Sequence, residues 1–141
     1  MRDGLPATIS YEVALRLLAA EAALPLSAEL RYDAADPYAV EALFDTGAES
    51  PVRWVFARDL LAEGLTRATG EGDVVVRPAV DEQGAAAVHL VLASPDGRAM
   101  LEASAEDLRG FLSDTYAVIP RGRESDNVDV DAALLSLLGT A

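Results

Sequence analysis

The chain has 141 residues and a formal net charge of −13, with 51% hydrophobic residues and no cysteine. That length and apolar content suit one packed domain over residues 1–141 and argue against disorder. The missing cysteines exclude disulfides, thiolate metal sites and thiol nucleophiles. The acidity disfavours phosphate-rich partners such as nucleic acid or an anionic lipid surface.

No apolar run approaches the roughly 18 residues that cross a bilayer, so no membrane insertion is expected. Met1–Ala7 lacks the charged-then-apolar layout of a signal peptide and reads as a short flexible extension, and a cytoplasmic location is expected. All eleven basic residues are arginines.

Period-two alternation dominates to about residue 104. Tyr11–Leu17 places large apolar residues at odd positions, as a half-buried strand does. Pro25 is expected to break the chain, with a short strand resuming over Glu29–Asp33. Ala35-Asp36-Pro37 reads as a turn. Ala39–Asp45 alternates again, with Val40, Ala42 and Phe44 on one face. After a loop at residues 46–51, Val52, Trp54 and Phe56 share a face. This most aromatic strand is expected at the centre of the core.

The period then changes. Leu60, Leu61 and Leu65 line one side of a short helix from about Ala57, with Gly64 as its stop. Val74–Arg77 is a strand that Pro78 ends or places at a sheet edge. Ala86–Ala93 points Val88, Leu90 and Leu92 one way. Pro95-Asp96-Gly97 suits a tight turn into a strand at Arg98–Ala103.

From Ser104 the pattern is helical. Ser104 with Asp107 fits a capping box, and Leu108, Phe111, Leu112 and Tyr116 recur at helical spacing. Residues 120–141 read as an exposed connection and a last short helix carrying Leu134, Leu135, Leu137 and Leu138. The fold class is α+β. About seven antiparallel strands form a curled sheet or barrel-like core, with one inserted helix and C-terminal helices.

Catalytic chemistry finds little support. His89 is the only histidine and sits mid-strand, opposite Val88, Leu90 and Leu92, as a surface or interface residue would. A hydrolase or small-ligand barrel needs a deep polar pocket holding His89 beside a buried carboxylate, and none is expected. No Gly-x-Ser-x-Gly occurs. Asp126–Asp131 lacks the central glycine and terminal glutamate of a calcium loop. Gly70-Glu71-Gly72 precedes a strand, whereas a phosphate cradle needs a helix start. No enzyme activity, cofactor or metal is expected. Tyr32, Tyr38, Trp54 and Phe56 could stack nucleic-acid bases, but no positive groove accompanies them.

Two stretches are more specific. Residues 31–40 read RYDAADPYAV, and residues 52–65 read VRWVFARDLLAEGL, followed by TRATGEGDVVVRP. They resemble the SsgA-like family of sporulating actinobacteria, and the likeness runs from the strand near Tyr11 to the helix near Phe111. The resemblance implies a non-enzymatic regulator of sporulation-specific cell division. Family members are associated with recruiting the tubulin-like protein FtsZ to septum sites, with SsgA-type division proteins acting alongside. It also implies a whirly-like fold and a homotrimer. The whirly likeness supplies the alternative function, a single-stranded nucleic-acid-binding module, although fold does not fix function.

The resemblance supplies no catalytic residues. Candidate partner-binding residues are Tyr32, Asp33, Asp36 and Tyr38 at a turn, and Arg58, Asp59 and Glu63 on the polar side of the short helix. At each position the alternative is structural, with the tyrosines closing the core and the aspartates capping turns. Val55, Val75 and Val91 face away from the expected core and are candidates for an oligomer interface.

Overall fold

The computed structural model describes residues 8–70 and 72–127. Seven strands form one antiparallel sheet: β1 Thr8–Leu18, β2 Ala23–Asp33, β3 Ala39–Asp45, β4 Val52–Ala57, β5 Val74–Val80, β6 Ala86–Ser94 and β7 Gly97–Ser104. The strand order is β4-β3-β2-β1-β7-β6-β5, and the sheet curls into a half-barrel. Helix α1, Arg58–Gly64, follows β4, and helix α2, Ala105–Val118, follows β7. A single 3-10 turn spans Glu124–Asn127. The expected helix near residues 129–138 and the extension at residues 1–7 lie outside the described residues.

Alternation places the core as expected. Val13, Leu15, Leu30, Val40, Ala42, Phe44, Val76, Val88, Leu90 and Leu101 point inward, and Leu108, Phe111 and Leu112 of α2 pack on them. The Tyr11 and Phe111 rings meet edge to face at 5.9 Å between centroids. Ser104 caps α2, its hydroxyl accepting from the Asp107 N–H at 3.3 Å. The β6–β7 turn closes on the pair Ser94 and Gly97.

Two expectations for the sheet are corrected, at Pro25 and at β4. β2 does not break at Pro25, which pairs with Arg16 inside a continuous strand. The pairing of β2 with β3 starts only at Ser27, so Pro25 has an unpaired flank that tolerates its missing N–H. Pro78 lies in an edge strand, as one of its two readings had it, and β5 runs on through it to Val80. β4 is not the core centre but the opposite edge, with Phe56 buried, Trp54 half-buried and Val52 exposed. Gly64 ends α1 as expected, though without a left-handed φ. Its need is spatial: a Cβ there would overlap the Val76 side chain.

The largest departure is Arg58. Expected on the polar side of α1, it is 0% exposed. Its guanidinium lies between the Tyr32 and Tyr116 rings, at 4.7 and 4.8 Å from their centroids. Nη1 donates to the Ile119 carbonyl at 2.8 Å and the Thr115 carbonyl at 3.3 Å. Nη2 donates to Glu124 at 2.8 Å. Tyr32 takes the structural alternative and closes the core, its hydroxyl donating to the Pro37 carbonyl at 2.8 Å.

Arginine suits such a site because its planar cation stacks on two faces while its fork satisfies carbonyls and a carboxylate. Burial pushes the Tyr32 phenol up to about 12, opposed by Arg58. The Arg58 hydrogen bond holds the Glu124 carboxyl below its ordinary value.

Arg58→Met strands the Glu124 carboxylate and the Ile119 carbonyl, and is expected to cost about 3–5 kcal/mol in urea unfolding. Arg58→Lys keeps charge but loses fork and stacking, and should recover only a minor part of that. Because the folded pKa of Glu124 is lowered, its stabilisation is full above the ordinary carboxylate range. It is lost as pH falls through the folded value. Glu124→Gln should therefore flatten the acid limb of the stability profile; an unchanged limb would remove the pair from the account. Gly64→Ala overpacks Val76 and should cost about 1–3 kcal/mol by the same unfolding assay.

Candidate functional site

The partner-binding candidates separate into distinct places. Tyr32 and Arg58 belong to the buried hub. Asp33 and Asp36 stand at the β2–β3 turn, where Asp33 Oδ1 accepts from the Ala35 N–H at 2.9 Å. They share a shallow depression on the outer sheet face with Val55, Arg31, Glu41 and Arg53. Arg31 pairs there with Glu29 at 3.1 Å and Glu41 at 3.7 Å, and Arg53 also pairs with Glu41. Of these exposed pairs the two that cross strands, Arg31 and Arg53 with Glu41, set register and specificity more than stability.

Asp59 and Glu63 do occupy the outer side of α1. Arg121 bridges both, at 3.2 and 3.3 Å, and Arg67 pairs with Glu63 at 2.7 Å. The Arg67 hydrogen bond holds the Glu63 carboxyl below its ordinary value. Tyr38 is exposed, while its carbonyl accepts from the Arg58 N–H at 2.7 Å. With Tyr32 and Phe56 in the core, the four aromatics do not form a stacking platform.

The valines also part company. Val55 is exposed and Val75 half-buried, but Val91 is buried within the chain, between Val75 and Met100 across the sheet. An apolar residue covered by its own neighbours offers little area to another subunit.

His89 is not a plain surface residue. It lies on the outer face between Arg77 and Glu102 in register, and Arg16 follows Glu102 on β1. His89 Nε2 is 3.0 Å from Glu102 Oε2, and Arg16 reaches Glu102 Oε1 at 3.4 Å. A buried carboxylate therefore stands beside His89, but none of the described cavities is lined by His89. It is held by cross-strand neighbours on a sheet face, with no nucleophile beside it. Among the described residues no group of three His, Asp or Glu side chains is placed to hold a metal.

One surface was not foreseen. α1 and α2 cover one end of the concave face and leave the other end open. There a groove of about 500 Å³ is lined by Leu17, Leu24, Leu26, Phe44, Val52 and Trp54 among others. Arg98 and Asp96 of the β6–β7 hairpin stand at the same groove. Leu24 and Val52 are 51% and 44% exposed. The clue was present in Val52-Arg53-Trp54, whose inward side chains need a cover. Placing β4 at the core centre hid it.

The family model described as "Streptomyces sporulation and cell division protein, SsgA" matches residues 26–124. The chain is 53% identical over 132 residues to the sporulation-specific cell division protein SsgB of Streptomyces coelicolor, covering 93% of this chain and 96% of that one. It is 53% identical over 116 residues to SsgB of Saccharopolyspora erythraea, covering 82% and 81%. A solved S. coelicolor SsgB structure superposes with a TM-score of 0.82 at 52% identity, covering 89% of this chain and 99% of that one. An SsgA-like sporulation-specific cell division protein from Thermobifida fusca superposes at 0.84 with 41% identity, covering 97% and 100%. No described helix is long and apolar enough to cross a membrane. With its half-barrel, its two helices and this likeness along most of its length, the chain belongs to the SsgA family of sporulation and cell division proteins.

Proposed function

We propose that this chain is a non-enzymatic regulator of sporulation-specific cell division, an adaptor that helps recruit or position FtsZ at septum sites. The observation that carries the reading is the 53% identity to a relative named for this process, over 93% of the chain. The physical features are consistent with a binding role. Among the described residues its polar clusters are ion pairs and turn caps rather than an assembled nucleophile, base and oxyanion donors. An apolar groove with exposed Leu24 and Val52 is open to a partner.

The same reading places the chain in the cytoplasm at the septum, alongside SsgA-type proteins. It also makes the chain a homotrimer, with Val55 and Val75 on the outer faces of the two edge strands as the remaining interface candidates. A light-scattering mass of one chain across the micromolar range contradicts the trimer.

Co-sedimentation with FtsZ polymers is the direct test. The chain should pellet with polymers at micromolar concentrations and change their length or bundling. Its absence from the pellet, with polymers unaltered, would falsify the FtsZ role.

A further inference from the structure

The segment after α2 is held down by charge rather than by apolar burial. Ile119 is buried, but from Pro120 to Asp126 every residue is exposed except Glu124. Among the described residues, the hydrogen bonds and ion pairs from 120–127 to the rest of the molecule all run to α1. Glu124 reaches Arg58 at 2.8 Å, and Arg121 reaches Asp59 and Glu63 at 3.2 and 3.3 Å. The charges are reciprocal: the helix supplies one cation and two acids, and the segment supplies the matching acid and cation.

The segment's other bonds are internal. The Arg123 N–H donates to the Pro120 carbonyl at 3.0 Å, and the Asp126 N–H to the Arg123 carbonyl at 3.1 Å. Arg123 also pairs with Asp126 at 2.7 Å. Residues 120–127 can therefore leave α1 without breaking a strand pairing or a turn of α2. The Arg121 pairs are about half exposed and, like other surface pairs, contribute little. Closure rests on one buried carboxylate.

That carboxylate fits its socket only in part. Nε and Nη2 share one edge of a guanidinium, which a carboxylate can take with both oxygens. Glu124 takes Nη2 alone, because its other oxygen accepts from the Gly122 N–H at 2.9 Å. Nε is shielded from solvent and has no hydrogen-bond partner among the described residues. A buried N–H left unmatched penalises the closed arrangement.

Opening relieves that penalty, because solvent then reaches Nε and Nη2. Nη1 keeps the Thr115 and Ile119 carbonyls, and both tyrosine rings stay against the cation. The loss of the Glu124 pair is offset in part by the hydration of Nε. The open arrangement thus lies closer in free energy to the closed one than a fully matched buried pair would allow. Segments poised in this way open locally, below the free energy of global unfolding.

We infer that residues 120–127 are a latch, closed by Glu124, which opens from α1 while the sheet and both helices stay folded. Opening bares the Arg58 edge between Tyr32 and Tyr116 and moves the point from which residues 128–141 continue. The device is independent of any role with FtsZ.

Native-state hydrogen exchange on the full chain tests it, read residue by residue by NMR. Detached from α1, so short a turn does not hold its own bonds, so opening exposes the Arg123 and Asp126 amides. After correction for intrinsic rates, these amides should exchange at least about tenfold faster than the slowest amides of β1, and independently of low urea. Glu124→Ala should speed them, and the Arg58 Nε–H, by a further factor of about ten while β1 stays within about twofold. Arg121→Ala, which removes only the exposed pairs, should change them by less than about threefold. Trypsin gives a second readout, since the chain has no lysine and is cut only after arginine. Cleavage after Arg121 and Arg123 should accelerate in Glu124→Ala, and cleavage after Arg98 of β7 should not.

Arg123 and Asp126 amides that exchange as slowly as β1, with the same urea dependence, overturn the latch, since the segment then opens only when the whole fold does. So does Glu124→Ala if it leaves exchange and cleavage unchanged, or if it speeds β1 as much as the segment. An effect of Arg121→Ala equal to that of Glu124→Ala overturns the assignment of closure to the buried carboxylate.

Discussion

Arg58 is the constraint around which the helical end of the molecule is organised. It begins α1, so the end of β4 delivers it directly to the interior. Tyr32 of β2 and Tyr116 of α2 cover its two faces, and the carbonyls closing α2 accept its hydrogen bonds. Glu124 then ties the chain after α2 to the same cation. One side chain thus fixes the sheet, both helices and the start of the C-terminal connection. The buried charge is tolerated because the ring faces, the α2 carbonyls and Glu124 meet its Nη1 and Nη2 ends, while among the described residues Nε alone has no hydrogen-bond partner. Desolvated stacking of the cation on each ring adds roughly 2 kcal/mol.

This hub determines where the accessible surface lies. With α1 and α2 anchored over the Tyr32 end of the concave face, nothing described covers the Phe44 and Trp54 end. The same curl leaves β4 and β5 as edges. The segment after α1 returns to screen β5, with Gly64 letting the helix settle against Val76. β4 receives no such cover. The open groove is therefore a consequence of which half of the sheet the arginine hub closes.

The alternation of Val40, Ala42 and Phe44, or of Val88, Leu90 and Leu92, was legible because a strand's faces follow from period two alone. The Ser104 cap was legible because its hydrogen bond spans three residues. Strand order was not, since it depends on pairings far apart in the chain. That is why β4, rich in aromatics, looked central and proved to be an edge. Pro25 misled for the same reason: whether a proline breaks a strand depends on which flank has a neighbour. The aspartates and glutamate of the candidate patch lie outside and Tyr32 closes the core, as one reading had it, but Arg58 was placed outside and lies within.

The sequence by itself determined the acidic character, the seven alternating segments, the α2 cap and, through RYDAADPYAV and VRWVFARDLLAEGL, the family. These are local or compositional properties, readable wherever a few neighbouring residues suffice. Tertiary structure decided that an arginine lies inside, that His89 meets a buried glutamate, and that one sheet edge stays open beside an apolar groove. Each depends on residues distant in sequence supplying a second face, a counter-charge or a cover. No local pattern carries that information.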